Sequence, residues 1–252
     1  MEEFDGMRKA GRLAADILDY IGAFVKPGVS TEYLNHLCAD YTTAHGAISA
    51  PLGYKGFPKS ICTSVNHVIC HGIPGDKILQ EGDIINIDVT PIVDGWHGDS
   101  SRMFPVGKIG VKAKKLCSVT YQALMTAIAT VKPGSSTFDI GKAIQDIVSP
   151  HRYSIVRDYC GHGTGKIFHS DPQISHYPDP SVAVEIKPGM IFTIEPMINI
   201  GKPDTKLLED KWTVVTRDKS LTAQFEHTIG VTENGVEIFT LSANGTDCPT
   251  DL

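Results

Sequence analysis

The sequence lacks several features that would assign it to a broad class at once. No apolar run approaches the length that spans a membrane, and residues 1–12 have no apolar core of the signal-peptide type. The six cysteines form no C-x-x-C pair and no regular spacing, which is typical of reduced, mostly buried thiols in a cytoplasmic protein. No linker-like or low-complexity stretch divides the 252 residues. We therefore expect a single domain, residues 1–252, that is cytoplasmic and does not contact a membrane.

An excess of basic residues is also missing. The formal net charge is −6, whereas a general nucleic-acid binder carries a basic face, so DNA is not an expected partner. One small basic cluster is present, formed by Lys108, Lys112, Lys114 and Lys115. It reads most simply as the solvated start of a helix. The alternative is a docking patch that brings the chain close to an RNA-rich partner such as the ribosome. We expect a monomer.

Two short segments of the sequence each occur twice, and both copies of the second segment end in an acid. The matching segments are residues 25–31 with 131–137, and residues 82–88 with 189–195. The first pair shares V-K-P-G-x-S-T and is shifted by 106 positions; the second is an apolar run that ends in Asp88 or Glu195 and is shifted by 107. Lys-Pro-Gly alone is common turn chemistry. The matching apolar runs and acids at nearly the same shift indicate an internal repeat, with both acids facing one shared site.

Each copy begins with two predicted helices. Apolar residues at helical spacing predict a helix over 7–25, and Ser30 suits the N-cap of a second helix that runs to about residue 46. The second copy predicts a helix near 113–131 and another after Ser136, where Asp139 has capping-box spacing.

Strand-like runs follow the helices in both copies. They are residues 61–70, 84–93, 96–105, 153–157, 191–199, 212–217, 224–232 and 236–240. Asp94-Gly95 and Asn234-Gly235 are typical two-residue hairpin turns. The order favours an α+β fold with two pseudo-symmetric halves, roughly 7–108 and 113–240. A curved antiparallel sheet would be backed by helices.

The first hairpin brings two acids together. If Asp94-Gly95 is the loop, Asp88 faces Ser101, and Asp88 and Asp99 become diagonal neighbours on one sheet face, roughly 7–8 Å apart. Two such acids among isoleucines repel each other and resist burial, so a proton or a cation must neutralise them. A solvent-facing pair at a sheet edge is the simpler alternative, but the apolar flanks weaken it. His162, among glycines, and Glu226, in a strand, could complete a metal site.

At this point the sequence resembles the type I methionine aminopeptidases. Six motifs occur in that family's order, at residues 71–74, 86–90, 97–99, 160–163, 193–197 and 225–228. The likeness extends from Met7 to Phe239 and implies the pita-bread fold of creatinases and aminopeptidases. It also implies removal of the N-terminal methionine from nascent polypeptides with a small second residue. Water activated by two metal ions would attack the first peptide bond.

The resemblance also implies a role for each site residue. The metal ligands would be Asp88, Asp99, His162, Glu195 and Glu226, with Asp99 and Glu226 bridging two divalent ions. The residue types suit cobalt, manganese, iron or zinc without ranking them. Glu195 would also act as general base. His169 would support the scissile carbonyl, and His71 the scissile amide nitrogen. The methionine pocket would be lined by Tyr54, Phe57, Cys62, Phe168 and Trp212, together with His71 and His169.

Two positions depart from the family pattern, and two other functions stay open. Pro51 stands where many bacterial members carry Cys, and Phe57 replaces a frequent Tyr, so the fit of the pocket is in question. An X-Pro aminopeptidase or prolidase would have the same fold, but usually carries a large additional N-terminal domain. A non-catalytic binding module on this fold typically loses metal ligands. We also expect residues 244–252 to be mobile and without a role.

Overall fold

The computed structural model describes residues 2–248. Its four α-helices are α1 Glu2–Gly22, α2 Thr31–Ala44, α3 Val111–Ala129 and α4 Thr137–Val148. Two short 3-10 helices lie at Tyr54–Gly56 and Ser149–His151. The strands of the first half are β1 Ile48–Ser49, β2 Cys62–Val65, β3 Val68–Cys70, β4 Ile84–Val89, β5 Pro91–Val93, β6 Trp96–His97 and β7 Ser100–Pro105. Those of the second half are β8 Ser154–Ile155, β9 Gly161–Gly163, β10 Ser170–Ile174, β11 Ile191–Ile194, β12 Met197–Asn199, β13 Thr205–Leu207, β14 Val214–Thr216, β15 Thr222–Gln224, β16 His227–Val231 and β17 Val236–Ile238.

The helix starts follow from their capping residues. The side chain of Ser30 accepts a hydrogen bond from the backbone N–H of Tyr33 at 3.1 Å, which begins α2 as predicted. Ser136 begins α4, and its own N–H donates to Asp139 Oδ2 at 3.0 Å in the predicted capping box. No helix of the described residues is long and apolar enough to cross a lipid bilayer.

The repeated sequence segments make the same backbone hydrogen bonds in both halves. Gly28 and Gly134 have left-handed φ values of 88° and 81°, and their N–H groups donate to Leu79 O and Ile186 O at 2.8 and 2.9 Å. Only glycine adopts this conformation without a steric penalty, which explains the glycine in each V-K-P-G segment. The pseudo-symmetric halves inferred from sequence are therefore present in the backbone.

Two main sheets carry the site, and helices cover their backs. The order β2-β4-β7 forms the sheet of the first half, and β10-β9-β11-β16-β17 that of the second. An isolated bridge between Ser101 and Glu226 joins them, with the Glu226 N–H donating to Ser101 O at 3.0 Å. Buried apolar side chains of α1 and α2 pack on the first sheet, and those of α3 and α4 on the second. The paired acids therefore meet where the halves join.

The predicted strands are interrupted more often than the sequence pattern suggested. The run 84–93 divides at Thr90, 96–105 at Gly98-Asp99, and 191–199 at Glu195-Pro196, where proline cannot donate to a ladder. Strands β9 and β10 were missed because glycines and Pro172 are unfavourable strand residues; β10 is an edge strand, where proline is tolerated.

Both predicted hairpins form, one of them with a shifted loop. Asp94 and Gly95 have φ values of 51° and 83°, and Asp88 pairs with Ser101 as expected. In the second hairpin Val231 pairs with Val236, which centres the loop on Glu233 and Asn234, one residue before the predicted turn. The diagonal placement of Asp88 and Asp99 is unaffected by this shift.

The C-terminal segment contradicts the expectation of a mobile tail as far as residue 248. The Nδ2 atom of Asn244 donates to Asp19 Oδ2 at 3.0 Å, and Thr246 Oγ1 donates to Asp19 Oδ1 at 2.7 Å. The guanidinium of Arg102, 4% exposed, lies 2.7 Å from Asp19 Oδ1 and 3.6 Å from Asp247 Oδ1. The segment is thus held against α1 and β7 by a buried ion-pair network. Residues 249–252 lie outside the described residues.

This network predicts a large effect of Arg102→Met on stability. The substitution leaves Asp19 and Asp247 without their buried counter-charge, so the free energy of unfolding should fall by about 3–5 kcal/mol, measured by urea denaturation. Arg8→Met is the matched control, because Arg8 pairs with Glu237 on the surface and its loss should matter far less. Equal stability of the two variants would contradict a structural role for the network.

Candidate metal centre

One cavity of about 350 Å³ is lined by every site residue that the sequence nominated. These residues are Asp88, Asp99, His162, Glu195, Glu226, His71, His169, Tyr54, Phe57, Cys62, Phe168 and Trp212. Pro51, the residue that departs from the family pattern, lines the same cavity. The chain therefore brings residues from both halves together at one place.

Breaks in the strands place three of the acids. Asp99 lies between β6 and β7, Glu195 between β11 and β12, and Glu226 between β15 and β16. The backbone carbonyls at two breaks are satisfied across the halves: Thr228 Oγ1 donates to Asp99 O at 2.7 Å, and Ser100 Oγ donates to Glu226 O at 2.8 Å. Because of these two hydrogen bonds, the strands can break at Asp99 and Glu226 without leaving buried carbonyl groups unpaired.

The tightest group consists of Asp99, His162 and Glu226. One potential ligand atom from each lies within 4.8 Å of the other two. The Nε2 atom of His162 is 3.5 Å from Asp99 Oδ2 and 3.6 Å from Glu195 Oε1. Asp88 lines the same cavity outside this group. Four carboxyl groups and one imidazole therefore converge, a donor set that suits a divalent transition metal.

Burial makes this group of acids unfavourable without a cation. Burial raises the pKa of Asp88, Asp99, Glu195 and Glu226, and it is the largest cause in each case. Repulsion from Asp99 raises the pKa values of the other three further. Such groups either keep protons or bind metal. The residues present therefore fit a divalent metal ion.

A layer of hydrogen bonds that was not predicted orients the acids. Thr90 Oγ1 donates to Asp99 Oδ1 at 2.7 Å, Thr193 Oγ1 to Glu195 Oε1 at 2.8 Å, and Gln224 Nε2 to Glu195 Oε2 at 3.2 Å. Thr193 lies two positions before Glu195, so the period of two in a strand could have indicated it.

His176 has a position that no sequence pattern indicated. It is fully buried. Its Nε2 atom accepts a hydrogen bond from the backbone N–H of Glu195 at 3.1 Å. His176 therefore supports the chain at the strand break that carries Glu195.

Two further histidines in the cavity are held neutral. Burial, followed by the neighbouring His162, lowers the pKa of His71 to about 4 and that of His169 to about 3. His169 Nδ1 lies 3.0 Å from the Tyr54 hydroxyl, which leaves Nε2 available to another group. His71 has a left-handed φ of 55°, unusual for a residue with a side chain and common at functional sites.

Aromatic rings form the apolar part of the cavity. Tyr54 packs on Phe168 with ring centroids 4.9 Å apart, and Phe57 meets Trp212 edge-on at 5.1 Å. Cys62 is buried beside them and pairs across the ladder with Asp88. The apolar surface and the acids therefore share one cavity.

Both the sequence and the fold are similar to those of known proteins. The model of metallopeptidase family M24 matches residues 5–233. The chain is 58% identical over 249 residues to the methionine aminopeptidase of Rickettsia prowazekii, covering 98% of this chain and 96% of that one. The crystal structure of a methionine aminopeptidase from Rickettsia prowazekii superimposes with a TM-score of 0.94 at 59% identity, over 95% and 97% of the two chains.

A more distant structure supports the fold alone. The Xaa-Pro dipeptidase of Bacillus anthracis superimposes with a TM-score of 0.75 at 23% identity. The match covers 96% of this chain but 61% of the dipeptidase. With the aminopeptidase match, it confirms the α+β pita-bread fold that the sequence predicted.

The raised pKa values predict that metal binding expels protons. These acids hold protons more tightly in the folded metal-free protein than in the unfolded chain. The free energy of unfolding of the metal-free protein should therefore rise as the pH falls from the raised pKa values of the folded state toward the ordinary carboxyl pKa values of the unfolded chain. Mn²⁺ added to chelator-treated protein in weakly buffered, slightly acidic solution should release protons and stabilise the fold by about 2.7 kcal/mol at 100 times Kd. Calorimetry in buffers of different ionisation enthalpy and thermal melting measure both effects. The double variant Asp99→Asn/Glu226→Gln is the control, and metal binding without proton release would contradict the prediction.

Proposed function

The chain belongs to metallopeptidase family M24, and on this premise we propose that it removes the N-terminal methionine from nascent polypeptides with a small second residue. It is a metal-dependent hydrolase. The observation that carries the proposal is one cavity in which Asp99, His162 and Glu226 lie beside an aromatic pocket. We also propose that the whole chain, residues 1–252, is one catalytic domain built from the two repeats.

Two alternatives are less well supported. An X-Pro aminopeptidase or prolidase would share the fold, but this chain matches nearly the full length of the aminopeptidase and 61% of the dipeptidase. A non-catalytic binding module would not need five potential metal ligands, and all five line the cavity here.

We propose that the five ligands hold two divalent ions of cobalt, manganese, iron or zinc. Asp99 and Glu226, which lie where the two halves meet, are the proposed ligands shared by both ions. When bound, divalent ions would polarise the scissile carbonyl and acidify a water molecule. The hydrogen bonds from Thr90 and Thr193 would keep Asp99 and Glu195 in orientation as ligands.

Glu195 is the proposed general base. Its Oε1 atom is 3.6 Å from His162 Nε2, so it faces the ligand group, and it can take the proton of the attacking water. His169 would donate a hydrogen bond to the scissile carbonyl oxygen as negative charge develops. His71 would bond the scissile amide nitrogen. Both histidines are neutral at physiological pH, because burial lowers the pKa of each.

The methionine side chain would occupy the apolar part of the cavity. Tyr54, Phe57, Cys62, Phe168 and Trp212 are the proposed lining, and a thioether packs well on aromatic edges. Phe57 packs edge-on against Trp212 through its ring, so the hydroxyl of a tyrosine is not needed for this contact. Pro51 lies at the same cavity and would shape its wall.

The setting of the enzyme follows from its substrate. We propose that it acts in the cytoplasm as a monomer on chains leaving the ribosome. Lys108, Lys112, Lys114 and Lys115 are exposed at the start of α3 and could contact ribosomal RNA. We propose neither DNA nor a membrane as a partner.

Peptide cleavage tests the function directly. The protein is stripped with chelator, restored with Mn²⁺, Co²⁺ or Fe²⁺, and assayed on Met-Gly-X, Met-Lys-X and X-Pro peptides by release of the first residue. We expect methionine release from Met-Gly-X only, because a crowded site rejects a long second side chain. Equal activity on Met-Lys-X would remove the size preference, and turnover confined to X-Pro peptides would favour the prolidase alternative.

Glu195→Gln tests the general base. The amide keeps the shape of the side chain but cannot take a proton, so kcat should fall by about 10²–10⁴-fold while KM changes less. Asp158→Asn is a control, because Asp158 lines the cavity but has no proposed part in proton transfer. Near-normal kcat for Glu195→Gln with metal bound would reject the assignment.

A further inference from the structure

Lys55 has no role in the function described so far, although it lines the cavity. Its side chain is exposed, and among the described residues no carboxylate lies within 4.0 Å of its ammonium group. Among the described residues that line the cavity, it is the one Lys or Arg. A free cation is therefore available where a substrate must enter.

The backbone around Lys55 forms a tight turn at the edge of the cavity. Lys55 has a left-handed φ of 47° between Gly53 at 82° and Gly56 at 88°. The turn closes on itself, with Gly53 N donating to Phe57 O at 2.8 Å and Phe57 N donating to Tyr54 O at 2.9 Å. Tyr54 and Phe57 are directed into the pocket by this turn, and the lysine between them stays at its exposed edge.

The ammonium group is placed over an aromatic ring of the site. The Nζ atom of Lys55 lies 5.3 Å from the centre of the Tyr54 ring, which itself stacks on His169. The hydroxyl of the same Tyr54 lies 3.0 Å from Nδ1 of His169. The cation is thus close to the proposed carbonyl-binding group while remaining in contact with water.

An exposed carboxylate, that of Asp158, also lines the cavity and carries the charge opposite to that of Lys55. Asp158 is exposed, and its Oδ2 atom accepts a hydrogen bond from Thr205 at 2.6 Å. Neither Asp158 nor Lys55 has an ionic partner within 4.0 Å among the described residues, but Oδ2 of Asp158 is already hydrogen-bonded to Thr205, whereas the Lys55 ammonium group donates no hydrogen bond within the described part of the chain. The two formal charges cancel at the edge of the cavity, and of the two groups it is the Lys55 ammonium that is free to turn toward an incoming acid.

We propose that Lys55 selects an acidic side chain at the third residue of the substrate. This inference rests on the proposed function. The first residue would fill the apolar pocket and the second must be small, so the third is the first side chain free to reach the exposed edge. An ion pair in water of this kind is weak and is screened by salt, so the preference should be modest and dependent on ionic strength.

The test compares Met-Gly-Asp-X, Met-Gly-Ala-X and Met-Gly-Lys-X on the metal-loaded enzyme. We expect kcat/KM for the Asp peptide to exceed that for the Lys peptide by about three- to fivefold at low salt, with the Ala peptide between them. High salt should reduce the ratio toward one. In Lys55→Gln the ratio should fall to one or below at every ionic strength.

Lys166→Gln is the matched control. Lys166 is also exposed and lies 5.2 Å over the ring of Trp96, but it does not line the cavity, so its loss should leave the ratio unchanged. An unchanged ratio in Lys55→Gln would overturn the proposal, as would a preference for the Lys peptide that Asp158→Asn abolishes. Absence of methionine release from all three peptides would count against the proposed function itself, since charge selection concerns only their ratio.

Discussion

The burial of four carboxyl groups in one cavity is the constraint to which much of this structure responds. Water would stabilise each anion, and the cavity removes much of that water. Lys55 stands at the exposed edge, and Asp88, Asp99, Glu195 and Glu226 have only His162 as an ionisable basic neighbour in the ligand group. These acids must therefore either keep protons or bind a divalent cation. A bound metal ion would replace protons that the folded protein otherwise keeps on these acids.

The repeat explains how such a site can form at all. A regular sheet would keep each acid in the ladder, where its backbone groups pair with the adjacent strand. Here the strands break at Asp99, Glu195 and Glu226, and side chains from the opposite half satisfy the exposed carbonyls of Asp99 and Glu226. Each half thus provides the hydrogen bond that stabilises a strand break in the other half. Neither half would complete these hydrogen bonds alone, so the site depends on their pairing.

Local sequence patterns were sufficient to predict the first hairpin and the acids that it carries. The Asp94-Gly95 turn set the register of its hairpin, and so placed Asp88 and Asp99 on one face before any tertiary information was used. Strand period could also have identified Thr193. The position of His176 could not be derived, because it reaches Glu195 from a separate segment.

The ion pair between Arg102 and Asp247 shows the same limit. It joins residues far apart in the chain, and neither has a neighbour in sequence that indicates the other. For that reason the ordered segment before residue 249 was missed, and the role of His169 came from family resemblance. Contacts of this kind depend on how the halves pack, which no local pattern records.

The division of the cavity into an acidic part and an apolar part also has a chemical consequence. Oxygen ligands and one imidazole favour hard or borderline cations, for which a thioether is a poor ligand. On the proposed function, the sulfur of a substrate methionine would gain little by approaching the metal and more by packing against Phe168 and Trp212. The donor set would then direct the side chain to the aromatic rings and leave the metal to the peptide carbonyl. Replacing a carboxylate ligand by cysteine would weaken this separation, because a softer site attracts soft donors.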